Sequence, residues 1–174
     1  MEIETHHVES HDSFGKMIGI QTALLAMFLS IFSILSHQTN TESIILVNQS
    51  SDQWSYYQAK KIRDYQLELN VKLLQLMAPN NEQTVKTISQ YSQQESKYQK
   101  EIADIKAEAE KKVKEGELAH QKTGYFELAE GLLEIAMILS SLYFLSHKKL
   151  FPILGLFLGV SGILIGGLGL LLHP

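Results

Sequence analysis

Residues 126–146 read FELAEGLLEIAMILSSLYFLS. This stretch is long enough to cross a bilayer, yet it carries three carboxylates in its first nine positions. Two further apolar stretches accompany it: MIGIQTALLAMFLSIFSILS at 17–36 and LFPILGLFLGVSGILIGGLGLLL at 150–172. Each is about the length of a bilayer-spanning helix. The three spans bracket one polar insert, 37–125. With one span before it and two after, both ends of the insert belong to the same membrane face. The expected fold is therefore all-α and integral to a membrane, with three transmembrane helices.

The composition conceals this division. Mean hydropathy is near zero because very apolar and very polar parts are averaged. The net charge of −4 likewise hides an insert with 12 acids and 12 bases. A balanced insert gives nucleic acid no electrostatic foothold. The chain has no cysteine, so disulfides and thiolate metal sites are excluded. The start is acidic, and Leu35-Ser36-His37 is a poor cleavage site, so the first span reads as a retained anchor and not a signal peptide.

Orientation follows from the short basic turn 147–149, His147-Lys148-Lys149, which belongs on the cytoplasmic side. Lys16 beside the first span agrees, and Lys111, Lys112, Lys114 and Lys122 beside the second oppose it. On this reading the insert lies on the outer side of the membrane, away from the cytoplasm.

The insert has one proline, in Ala78-Pro79-Asn80-Asn81, a helix-breaking cluster expected to form a turn near 79–81. Before it, Ile62, Tyr65, Leu69, Leu73 and Leu76 recur at three- and four-residue steps. After it, Ile88, Tyr91, Tyr98, Ile102, Ile105 and Ala109 do the same. Both arms read as amphipathic helices with narrow, coiled-coil-like stripes. The arms, 37–79 and 82–125, span 43 and 44 residues. Each reaches roughly 65 Å if fully helical. Equal arms around a tight turn imply a long antiparallel hairpin, a stalk rooted in the membrane. Ser50-Ser51-Asp52-Gln53 fits a capping box, so a helix break near Asn48 and one uninterrupted helix are both open. Stripes this thin bury little area, so they should pair with other copies or with an unidentified protein partner. A homo-oligomer is the simpler expectation.

The block Asn48-Gln49-Ser50-Ser51-Asp52-Gln53-Trp54-Ser55-Tyr56-Tyr57-Gln58-Ala59-Lys60 resembles a bacterial membrane-protein family catalogued as domain of unknown function 4337. The similarity extends to Asp12-Ser13-Phe14-Gly15-Lys16 and to Leu133-Glu134-Ile135-Ala136-Met137-Ile138-Leu139-Ser140-Ser141. It covers nearly the whole chain. It implies the same architecture of spans and charged helix, and it implies no chemistry. That family often carries Gln where this chain has Glu134, which weighs against a mechanism needing a carboxylate there.

Three sets of residues are candidates for function. Asp52, Gln53, Trp54, Tyr56, Tyr57 and Lys60 could form an aromatic recognition surface. The alternative is packing, with Trp54, Tyr57 and Tyr65 against the second arm or another subunit and Asp52 or Gln53 as a cap. Glu127, Glu130 and Glu134 share one face of the second span, and His120 extends it outward. Glu134 lies roughly 12 Å beyond Phe126 along a helix, where a carboxyl is costly and must face protein, water or a partner. It reads either as part of a cation or proton path, or as helix–helix glue to Gln21 or Thr22. Finally, Gly155, Gly159, Gly162, Gly166 and Gly169 step by four, three, four, three, and so do Gly19, Ala23, Ala26, Ser30 and Ser33. Two matched small-residue stripes suggest that the first and third spans pack together, within or between subunits.

His6, His7 and His11 lie in an acidic tail, 1–16, expected to be disordered and to hold no metal. No phosphate-binding loop and no nucleophile–base pair is present. An enzyme is the least expected class, and no cofactor is implied. The leading expectation is a membrane-anchored scaffold or interaction protein; the alternative is a channel or transporter.

Overall fold

A computed structural model describes residues 13–77 and 81–172. The tail before Ser13 and the turn residues 78–80 lie outside the described residues, and so do the readings placed on them. All regular elements among the described residues are helical: α1 Ser13–Met77, α2 Glu82–Ser141, α3 Tyr143–Ser146 and α4 Leu150–Leu171. Three helices are long and apolar enough to cross a membrane.

Helix α1 has no break near Asn48. The first serine of the stretch read as a capping box is used otherwise: Ser50 Oγ donates to the Ala109 carbonyl oxygen of α2. A hydroxyl engaged across or along the helix is not available as a cap. The helix also takes in Ser13–Lys16, which the sequence reading left in the tail. Helix α2 has a true cap: Asn81 Oδ1 accepts from the Gln83 N–H at 2.9 Å, and Glu82 sits in the first turn where a negative charge is favoured.

The chain divides into two compact units, Met1–Asn40 with His120–His173, and Thr41–Ala119. In the first, Leu25, Phe32, Phe126, Ala129, Leu133 and Ala136 form the core. Phe32 stacks on Phe126 with ring centroids 6.2 Å apart. Thr123 Oγ1 donates to Thr39 Oγ1 at 2.9 Å. The apolar run to Ser146 lies on one membrane-length helix, Glu82–Ser146; Leu142, between α2 and α3, keeps the right-handed helical backbone (φ −62°, ψ −17°). His147 then closes α3 in the left-handed conformation, φ 52°, with its N–H on the Tyr143 carbonyl. That sharp reversal sets Lys148 and Lys149 in the turn before α4.

All five glycines of the α4 stripe are buried, but their neighbours are not the small residues of α1. A Cβ at Gly155 would meet Ser140 and the Ala136 carbonyl; at Gly162, Ala129 and Leu132; at Gly169, Phe126 and Tyr125. Those contacts belong to α2. At Gly159 and Gly166 it would strike Leu25 and the Phe32 ring of α1. Large α1 side chains thus fill the hollows that the α4 glycines leave. Gly19 and Ala23 are exposed, Ala26 is half-buried, and nothing lies within 4 Å of the Gly19 Cβ position. Within one chain the two stripes do not meet, because the space over the α4 glycines is taken by α2 and by Leu25 and Phe32 of α1.

In the second unit, α1 and α2 touch through Ser43 and Gly116, Ser50 and Ala109, Lys60 and Glu101, and Asp64 and Gln99. The numbering rises along one helix as it falls along the other. The α2 stripe faces inward: Ile102, Ile105 and Ala109 are buried. The α1 stripe does not. Ile62, Tyr65, Leu69, Leu73 and Leu76 are all exposed, and their place at the interface is taken by buried Ser43, Ser50, Lys60 and Asp64.

Candidate functional site

The Trp-centred block supplies one member of a polar cluster, Lys60. The α1 helix carries Lys60 and Asp64 on one face, four residues apart. Helix α2 brings Tyr98, Gln99 and Glu101 to meet them. Lys60 Nζ donates to Glu101 Oε2 at 2.6 Å and lies 4.6 Å from the Tyr98 ring centroid and 5.6 Å from that of Tyr56. The ammonium is thus held by one carboxylate and two aromatic faces. The hydrogen bond from Lys60 holds the Glu101 carboxyl below its ordinary range, and the same bond, opposed by desolvation, raises Lys60. One turn on, Asp64 Oδ2 accepts from Gln99 Nε2 at 2.5 Å. Asp64 Oδ1 is buried with no hydrogen-bond partner among the described residues.

The rest of the block is spread around the helix. Trp54 and Tyr57 are half-buried and meet edge to face at 5.4 Å, which fits packing. Asp52 is exposed, Gln53 half-buried, and neither ends a helix. Tyr56 is exposed with Lys60 over its ring. Tyr65, expected against the second arm or another subunit, is 60% exposed within one chain, with Lys61 over its ring at 5.5 Å. Sequence reasoning missed Asp64, Tyr98, Gln99 and Glu101. A usable signal was there: reflecting the numbering about residues 80–81 carries Lys60 onto Glu101, an opposite charge.

The acidic stripe lies on α2 in the other unit. His120, Glu127 and Glu134 are exposed, and Glu130 is half-buried. The structure keeps them on one helix face but brings no partner from α1. Gln21 Nε2 donates instead to Ser140 Oγ at 3.0 Å and to the Pro152 carbonyl at 3.2 Å. Thr22 Oγ1 donates to the Ile18 carbonyl. The expected glue between Glu134 and Gln21 or Thr22 is therefore not formed; Gln21 ties α1 to the α2 C-terminus and to α4. Gly124 and Gly131, interleaved with the carboxylates, have nothing within 4 Å of their Cβ positions. A shallow hollow opens at Gln121, Gly124, Tyr125 and Leu128. Among the described residues no group of three or more His, Cys, Asp or Glu could hold a metal ion.

The sequence profile of the family described as Domain of unknown function (DUF4337) matches residues 14–172. The chain belongs to that family. It matches no curated protein and no solved structure.

Proposed function

We propose that this member of the family is an oligomeric scaffold anchored in a membrane, presenting the Thr41–Ala119 insert as an antiparallel, coiled-coil-like hairpin. The three apolar helices are its transmembrane spans. The hairpin lies on the outer side of a bacterial inner membrane, opposite Lys148 and Lys149. The observation that carries this reading is the reversed order of the contacts between α1 and α2, centred on the Lys60–Glu101 pair. With Lys60 buried and Glu101 half-exposed, the pair adds little net stability, but a shifted register would leave the Lys60 ammonium covered without its carboxylate. Register control suits a rod that docks other proteins. The exposed α1 stripe gives such docking a surface.

One observation favours a second reading. Glu127 and Glu134 are exposed on an apolar helix of the isolated chain. In a bilayer they need water or another copy beside them, and a ring of such copies would line a cation or proton path.

Both readings meet in one experiment. The purified chain is measured by native mass spectrometry in nanodiscs and by potassium and proton flux in proteoliposomes. The scaffold reading expects a discrete oligomer and flux equal to that of protein-free vesicles. Flux that disappears in Glu134→Gln overturns it in favour of the path.

A further inference from the structure

Between Lys60 and Met77, α1 carries apolar residues on two opposite sides, Leu67, Val71 and Leu74 continuing the covered side beyond Lys60 and Asp64. Lys60, Asp64, Leu67, Val71 and Leu74 step by four, three, four, three and are buried or half-buried. At about 100° per residue, the opposite side holds Ile62, Tyr65, Leu69, Leu73 and Leu76. These are 56, 60, 56, 45 and 81% exposed. Helix α2 covers one side only. A helix apolar on both sides normally sits between two neighbours.

The bare side has a definite period. Ile62 to Leu73 and Tyr65 to Leu76 are each eleven residues apart, the spacing of a nearly straight or right-handed helical seam. Its five side chains leave a patch on the order of 500 Å² uncovered, toward the top of what a monomer usually shows. Two such faces in contact would bury roughly 1,000 Å², the lower bound for a biological interface. The edges carry Arg63 and Lys72 against Glu68, and Glu68 already pairs with Lys72 at 2.6 Å. Both signs are present, so the face does not repel its own copy.

We infer that the Ile62–Leu76 side of α1 docks a second copy of this chain, parallel and in register, with Leu69 and Leu73 against their own counterparts. This rests on the membrane-anchored reading. Copies anchored the same way up present the same face at the same height, which selects the parallel arrangement and raises the local concentration. The hairpin then becomes half of a four-helix assembly, and the polar Lys60 layer sets the register inside each half.

The cysteine-free chain allows a clean test. Leu69→Cys, Leu73→Cys, Asn70→Cys and Gln75→Cys are made singly and oxidised with copper phenanthroline in native membranes. A disulfide needs Cα atoms within roughly 7 Å, so only seam positions should react. The expected result is a dimer band at 69 and 73 and little at 70 and 75. Adding Tyr65→Glu to Leu69→Cys should remove the band while circular dichroism keeps its helical signal. No band at 69 and 73, or equal bands at all four positions, overturns the inference; a different protein covering the face gives the first of these. An alkaline carbonate wash separates the two levels. Extraction of the chain defeats the membrane reading, whereas retention without a band defeats the docking alone.

Discussion

Gly155→Ala isolates the packing of α4 on α2. A Cβ at Gly155 falls 2.6 Å from the Ala136 carbonyl oxygen and also meets Ser140 Oγ. One obstacle is backbone, so a rotamer change cannot clear it. The helices must part by about 1 Å to restore ordinary contact. Overpacking of this kind costs about 1–3 kcal/mol. Alanine also improves helix propensity by up to about 1 kcal/mol over glycine, which would blur the measurement. Gly167→Ala in the same helix supplies the control, since nothing lies within 4 Å of its Cβ position. Both variants share the propensity gain, so their difference reports packing alone. Unfolding by SDS titration in mixed micelles, followed by circular dichroism, should place Gly155→Ala about 1–3 kcal/mol below Gly167→Ala. A difference under about 0.5 kcal/mol would mean that α4 does not lie on α2 at Ala136 and Ser140.

Three other outcomes are expected. Trp54 is the single tryptophan and lies beside Tyr57, so its fluorescence reports on the Thr41–Ala119 unit. By that signal, Glu101→Gln should melt at a lower temperature than Lys60→Met combined with Glu101→Leu, because removing one partner strands a charge and removing both does not; the reverse order would refute a tight pair. The same pair fixes the pH response. Glu101 is depressed from its ordinary 4.5 and Lys60 raised from its ordinary 10.5. The pair's contribution is thus complete between those values, lost as pH falls below the first and lost again as pH rises above the second. Melting temperature should be flat from roughly pH 6 to 9, and its fall toward either extreme should be smaller in Lys60→Met combined with Glu101→Leu. In the other unit, Gln21→Leu removes two hydrogen bonds and should cost about 0.6–1.7 kcal/mol in the SDS titration; no change would mean that the amide does not tie the three helices.

The amino-acid sequence shows the helices and the three membrane-length apolar segments well, because period and length are local properties. Phe126 to Ser146 announces itself by apolar run alone. What the pattern does not show is which of two faces a helix turns inward. The Ile62–Leu76 side is the more apolar, yet Lys60 and Asp64 take the interior because Glu101 and Gln99 meet them there. That choice depends on the other arm. The α4 glycines mislead in a similar way. Small residues mark close approach but not the partner, and the structure seats Leu25 and Phe32 in those hollows where matching stripes suggested Gly19 and Ala23. Glu134 was legible as an anomaly, and its proposed partner Gln21 was not, since Ser140 and the Pro152 carbonyl compete for the same amide.

The central claim is three spans with the whole insert on one side of the bilayer. It is tested most directly by single cysteines at Ser51, Glu95, Lys148 and Ile163, labelled with a membrane-impermeant maleimide in right-side-out and inverted vesicles. The account predicts that Ser51 and Glu95 react only in right-side-out vesicles, Lys148 only in inverted ones, and Ile163 in neither until the membrane is dissolved. Labelling of Lys148 from the same side as Ser51 and Glu95 would contradict it.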